Sequence, residues 1–228
     1  VAAQGFFPDR GAAMARTWDA DGTQLAQNLQ QASRDVLDDA ARRERVSREL
    51  ARHWHIACMN DLAVPPPFDD SDIGRFRCAP GAEDCELMIG DESGRMIHAL
   101  PAPSQVGAML DTFEQWLNLE LDDLDQRYPA GSKLDAAGIT SVIEVAARAH
   151  NHWIRIHPFA NGNGRTARMW ANYVFARCKL RPPFRLRPRP ENGYDEAASA
   201  AMARNDLPMR KFIGDEFVRQ AMTDFYKS

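Results

Sequence analysis

The chain has 228 residues, 44% of them hydrophobic and 26% charged, enough for one core or a core with a small appendage and ordinary for a globular protein. A net charge of −4 argues against generic nucleic-acid binding, which depends on neutralising phosphates. No apolar run approaches the roughly eighteen residues that a membrane span requires, so neither nucleic acid nor membrane is an expected partner. Cys58, Cys78, Cys85 and Cys178 show no C-x-x-C pair and no framework spacing, and read as thiols of a reducing compartment. The first residues, VAAQGFFPDRG, lack the basic start and long apolar stretch of a signal peptide; without an initiator methionine they read as a processed or truncated end. Composition alone fits a cytoplasmic enzyme or adaptor.

In chain order the pattern is helical. Leu25, Leu29, Ala32, Val36 and Ala40 recur at three- and four-residue steps, the apolar face of a first helix, which Val46, Leu50 and Trp54 either continue or follow with a second. Pro65, Pro66 and Pro67 stop regular structure. From Cys85, two short apolar runs flank Asp91-Glu92-Ser93-Gly94, which predicts a β-hairpin that Pro101 and Pro103 close. Val106, Leu110, Phe113, Leu117, Leu121 and Leu124 restore helical spacing, with Glu114, Glu120, Asp122 and Asp123 as a solvated face. Ser141 to Glu144 has capping-box spacing at the mouth of the next helix, which runs toward Ile156. Further helices are predicted over Arg165 to about Leu180, Tyr194–Arg204 and Pro208–Phe225, separated by an Arg/Pro connection in which Arg177 to Arg189 read as solvated charge. The fold class is therefore all-α with one inserted hairpin.

The segment HPFANGNGRTAR, His157 to Arg168, carries the chemistry. Glycine and asparagine adopt positive φ most readily, so Asn161, Gly162, Asn163 and Gly164 predict a nest of backbone N–H groups. The helix beginning just afterwards aims its unpaired amides and dipole at the same point. Arg165 and Arg168, three apart on its first turn, place two phosphate-binding forks on one face. His157, at the other lip, is the nearby general base. Three rival readings are weaker. Gly162-x-Gly164-x-x-Ala167 matches a dinucleotide fingerprint formally but follows a helical pattern rather than a strand. His150, His152 and His157 as a zinc site lack a joining thiol or carboxylate. A plain Asn/Gly turn leaves the two arginines and the histidine unexplained.

These residues resemble the signature of the Fic family, H-P-F-x-[DE]-G-N-G-R-x-x-R, with His157, Pro158, Phe159, Gly162, Asn163, Gly164, Arg165 and Arg168 in register. The likeness runs from about Gly74 (GRFR) to about Ile213, which divides the chain into an N-terminal helical extension, 1–70, and a Fic-like catalytic domain, 71–228. The resemblance implies a Fic-type helical domain with a hairpin flap, and transfer of AMP from ATP to a Ser, Thr or Tyr hydroxyl of a target protein. It implies His157 as base, Asn163, Gly162 and Gly164 on the α-phosphate, Arg165 and Arg168 on the outer phosphates, and Phe159 as the loop's anchor. The resemblance also implies that the flap aligns the target by strand addition, with Leu87, Ile89, Met96 and His98 as its working residues, unless the hairpin is only structural. Asn161 stands at the family's acidic magnesium position, so it is the candidate metal ligand, neutral, with magnesium or manganese as the ion. No inhibitory motif of form [ST]-x-x-x-E-[GN] is visible, which implies an antitoxin-like inhibitor in trans or one outside this stretch. Tyr194 and Asn172 fall where the family shapes its nucleotide pocket, although packing is the simpler role for both. Alternatives are a transferase of phosphate or phosphocholine, or a nucleotide-binding module with impaired catalysis. A toxin of a toxin–antitoxin pair or an effector secreted into a host fits the same chemistry.

Overall fold

The apolar steps along residues 25–40 bury one stripe of helix α1 (Thr23–Ala41): Leu25, Leu29, Ala32, Val36 and Ala40 all lie in the core. The structure is a computed structural model that describes residues 22–62, 69–82, 87–90, 96–129 and 132–225. Helix α2 (Arg48–Met59) is separate from α1, because Ser47 in extended conformation caps it, accepting from the Leu50 amide at 3.3 Å. The chain continues through strands β1 (Met88–Gly90) and β2 (Met96–Ala99) and then helices α3 (Pro103–Arg127), α4 (Ala136–Ile156), α5 (Asn163–Arg177), α6 (Tyr194–Met202) and α7 (Leu207–Phe225). The all-α expectation holds, with seven helices and one two-stranded hairpin among the described residues. Among them no helix is long and apolar enough to cross a membrane.

Helix α5 is the axis. It is buried on nearly every side, from Arg165 through Phe175, and packs against α4, α1 and α2. A helix apolar on one stripe only could not occupy that place; α5 manages it by bonding many of its polar groups, although Trp170 Nε1, Arg168 Nε and Arg177 Nε have no hydrogen-bond partner. Trp170 sits at its centre, with ring centroids 4.7 Å from Trp54 of α2, 5.4 Å from Phe113 of α3 and 5.7 Å from Trp153 of α4. Trp54 Nε1 donates to Asp39 at 2.8 Å and Trp153 Nε1 to Thr166 at 2.7 Å, so two of these indoles are satisfied inside the core. The first two helices thus share one core with α5.

The hairpin pairs antiparallel, Met88 with Ala99, Ile89 with His98 and Gly90 with Met96, with an irregularity between Ile89 and Gly90. Its expected turn at residues 91–94 lies outside the described residues, as do Cys85, Gly131 and the Pro65–Pro67 stop.

Three local expectations fail. Helix α4 begins five residues before Ser141, because Asp135 caps it, accepting from the Gly138 amide at 2.7 Å; Ser141 is inside the helix and bonds back to Ala137. Glu114 is not merely solvated: it accepts from Arg48 N at 2.6 Å and Arg48 Nε at 2.9 Å, holding the start of α2 to α3. Arg177 is buried, not loop charge, and donates to Asp125 at 2.9 Å and to the Tyr173 hydroxyl at 3.1 Å.

Three histidines are enclosed by this core. Burial pulls His55 and His157 down to about 4 and His150 to about 3. The unfolded chain therefore binds more protons than the folded one as the pH falls from the ordinary histidine value toward these values, and stability falls with it. By about pH 5 each imidazole is expected to cost on the order of 2 kcal/mol relative to about pH 7. Urea denaturation at the two pH values checks this; equal stabilities would contradict the burial of neutral imidazoles.

Candidate active site

Helix α4 ends because His157 turns into the left-handed region, φ 49, with its amide still bonded to the Trp153 carbonyl at 2.9 Å. A side chain in that conformation is strained, so its neighbours must hold it there. Arg77 does so. Buried to 1% exposure, it donates from Nε to the His157 carbonyl at 2.8 Å and from Nη2 to the Ile156 carbonyl at 3.3 Å. Its own amide donates to the Pro158 carbonyl at 2.8 Å, and Nη1 reaches Pro101, past the hairpin, at 3.1 Å. A guanidinium suits this place because α4 presents unpaired carbonyls and its negative dipole end there.

Phe159 fixes the next step. It is fully buried, stacked between His55 at 4.1 Å and Phe76 at 4.8 Å, and its backbone forms a bridge with Phe76. Asn163 closes the loop over it: Oδ1 accepts from the Phe159 amide at 3.0 Å and Nδ2 donates to the Phe159 carbonyl at 2.8 Å. His55 braces the far side. Its Nδ1 accepts from the Gly74 amide at 3.0 Å, which leaves the proton on Nε2, 3.1 Å from the Asn161 carbonyl.

The nest is simpler than its composition suggests. Of residues 161–164 only Gly162 has positive φ, at 74; Asn163 and Gly164 already belong to α5. Helix geometry leaves the amides of Asn163 and Gly164 without an intrahelical acceptor, so this end of α5 is electropositive and suited to an anion. Gly162 is demanded by its φ and by His55, whose ring lies 3.0 Å from where a Cβ would stand. Gly164 is not demanded by either: its φ is ordinary and a Cβ would meet only Arg168, at 3.7 Å. Its missing side chain leaves room for a group approaching the backbone.

Both arginines are buried, but they leave the first turn toward different neighbours instead of lying side by side. Arg165 Nη1 is 3.9 Å from Met59 Sδ on α2. Arg168 donates from Nη1 to the Tyr194 hydroxyl and from Nη2 to the Leu186 carbonyl, both at 3.2 Å, while its buried Nε has no hydrogen-bond partner. A buried orphan donor on a cation is costly unless an acceptor arrives, which fits an incoming anion. His157 Nδ1 lies 3.3 Å from the Ile154 carbonyl, so this nitrogen carries the proton and Nε2 the lone pair. Burial, with Arg77 nearby, holds His157 down to about 4 against the Ile154 carbonyl, so the imidazole is neutral at physiological pH.

His157, Gly162, Gly164, Arg165 and Arg168 thus stand along one short loop and the first turns of α5, with Asn163 serving as the loop's brace. Asn161 bonds to its own neighbour: its Oδ1 accepts from the Gly162 amide at 2.5 Å. His150 and His152 go elsewhere, to Tyr194 and beside Trp116. On the flap, Leu87 is buried and His98 Nε2 is 3.4 Å from Ser199 Oγ of α6; for Ile89 and Met96 only the strand pairing is described. Asn172 holds the chain at Phe184 by a pair of amide bonds, at 2.8 and 3.0 Å, which is a packing role. Arg77 and His55 escape a reading of the sequence. The only signal for Arg77 is its place in GRFR, and His55 has none.

A protein-family model for the Fic/DOC family matches residues 45–175. The chain is 30% identical over 118 residues to a protein adenylyltransferase Fic of Culex quinquefasciatus, covering 52% of this chain and 20% of that protein, so it spans about a fifth of the curated relatives it matches. Among solved structures, C. elegans Fic-1 (residues 134–508) superposes with a TM-score of 0.62 at 18% identity, covering 92% of this chain and 55% of that one. The N-terminal Fic domain of a Bartonella quintana cell filamentation protein, solved with bound ADP, gives 0.50 at 17% identity, covering 86% and 85%. The structural likeness establishes the fold, and the family match, which runs from just before α2 nearly to the end of α5, establishes that this chain belongs to the Fic/DOC family.

Proposed function

We propose that the chain is a protein adenylyltransferase, moving AMP from ATP to a Ser, Thr or Tyr hydroxyl of a target protein. The observation that carries this is a neutral, Nδ1-protonated His157 beside an α5 N-terminus left open at Gly164. The name of the mosquito relatives and the ADP in the Bartonella structure support the donor class. In this reading the phosphates lie against the first amides of α5, with Arg165 and Arg168 on the outer ones. His157 Nε2 takes the hydroxyl proton, the hydroxyl oxygen bonds to the α-phosphorus, and the bond to the bridging oxygen breaks, releasing pyrophosphate. The target backbone adds to the hairpin as a further strand, an arrangement tolerant of sequence. Its identity, and an inhibitor acting in trans, belong to the same proposal.

Bound magnesium neutralises phosphate charge. Among the described residues no group of three His, Cys, Asp or Glu side chains could hold a metal. Asn161 supplies one neutral oxygen, already engaged by the Gly162 amide. An ion would therefore arrive held chiefly by the nucleotide.

His157→Ala is expected to leave ATP binding nearly unchanged while lowering transfer by about two to four orders of magnitude. With ATP labelled at the α or the γ phosphate, the wild type is expected to deposit α label on protein; γ label would mean phosphate transfer and contradict the proposal. Asn161→Asp is expected to lower the magnesium concentration needed for half-maximal transfer, since a carboxylate adds the missing charge. Superimposable metal titrations of the two proteins would remove Asn161 from the metal's surroundings.

A further inference from the structure

Behind Arg168 the core holds a run of polar side chains that the transfer reaction does not use. Asn151 Nδ2 donates to Asp206 at 2.8 Å, which orients its amide and turns Oδ1 toward His150 Nδ1 at 3.1 Å. His150 must then carry its proton on Nδ1, leaving Nε2 as an acceptor 2.8 Å from the Tyr194 hydroxyl. That hydroxyl gives its one proton to His150, so toward Arg168 Nη1, 3.2 Å away, it offers a lone pair. Every link therefore has one direction, set from Asp206. Asp206 is itself fixed, since Arg155 donates to it as well as to the Ala201 carbonyl at 2.7 Å.

The burial of these groups gives the arrangement its force. His150 and Asn151 are fully buried, Tyr194 is 2% exposed and Arg168 is 5% exposed. Tyr194 stands at the first position of α6, which Gly193 allows by taking φ 95. Its ring packs edge-on against Phe184 at 5.9 Å and Phe212 at 5.6 Å. The guanidinium of Arg168 lies over the same ring, 5.5 Å from its centroid. Burial also keeps His150 uncharged, held down to about 3, so it remains an acceptor for Tyr194 and does not repel Arg168.

We propose that Tyr194 and His150 are positioning residues for Arg168, and that this chain of one-way hydrogen bonds, running from the partly exposed Asp206 into the core, holds the guanidinium for the outer phosphates, so that the site prefers ATP to AMP. The inference rests on the reading of the loop as an ATP site, in which Arg168 meets the outer phosphates. Without the hydroxyl, Arg168 loses one of its two described hydrogen bonds and His150 loses its donor, while the aromatic packing survives.

Calorimetric titration of ATP and AMP into the wild type, Tyr194→Phe, Arg168→Ala and the double variant tests it. Tyr194→Phe is expected to weaken ATP by about tenfold and AMP by less than about twofold. The double variant is expected to bind ATP no worse than Arg168→Ala alone, because Tyr194 acts only through that arginine. His150→Leu, which removes the acceptor of Tyr194, is the second variant and is expected to move ATP affinity the same way by a smaller factor. Equal weakening of ATP and AMP, or losses that multiply in the double variant, would overturn the positioning role. If Arg168→Ala lowers ATP affinity and both Tyr194→Phe and His150→Leu leave it unchanged, the positioning chain alone falls. A wild type that binds no ATP overturns this inference and the proposed function together.

Discussion

The structure depends most on the guanidinium of Arg77 under the end of α4. That helix must stop at His157, turn sharply, and release the chain toward α5, and a turn of that kind leaves carbonyls facing a dry interior. Arg77 collects the carbonyls of Ile156, His157 and Pro101 from one side chain, and its own amide takes that of Pro158. A buried cation is costly in isolation, but here it meets the negative end of a helix dipole and a set of oriented acceptors. Lysine could not substitute, since three diverging carbonyls need a planar fork of donors. Because the same side chain touches Pro101 behind the hairpin, the position of the hairpin's exit and the position of the loop after α4 are set by one group.

From that fixed point the loop is held on both flanks. Phe159 is driven between His55 and Phe76, Asn163 ties back across Phe159, and His55 links the Gly74 amide to the Asn161 carbonyl. The outcome is a short loop whose backbone conformation is settled by core contacts and whose free surface is a helix N-terminus. Around it stand the buried imidazoles of His55 and His157, held uncharged, and the guanidinium groups of Arg165 and Arg168. On the proposed reading, such a site would receive a polyphosphate without reorganising, with the His157 lone pair available across the physiological range.

Much of this is legible in the amino-acid order, and the division has a physical cause. The apolar steps of α1 and α3 report burial directly, so those helices appear where the spacing puts them. The loop is legible because its glycines, arginines and histidine are gathered in the one short segment from His157 to Arg168. His55 and Arg77 are hidden because their partners lie 106 and 80 residues away, a distance over which no local pattern carries information. Ser141 misleads for the opposite reason: its capping spacing is real, but Asp135 offers a better cap one turn and a half earlier, and a mid-helix serine satisfies itself on the preceding turn. Asn163 shows the same lesson within the motif, since a side chain read as a phosphate ligand is engaged in bracing Phe159.

The central claim is that the loop is already formed as a phosphate site and that the nucleotide enters it without refolding it. A crystal structure of the protein with a non-hydrolysable ATP analogue and magnesium tests this most directly. The account expects phosphates against the first amides of α5 and beside Gly164, Arg168 Nε newly paired, and the contacts of Arg77, His55 and Asn163 unchanged. A nucleotide bound elsewhere, or a loop whose Arg77 and Asn163 bonds have broken to admit it, would contradict the account.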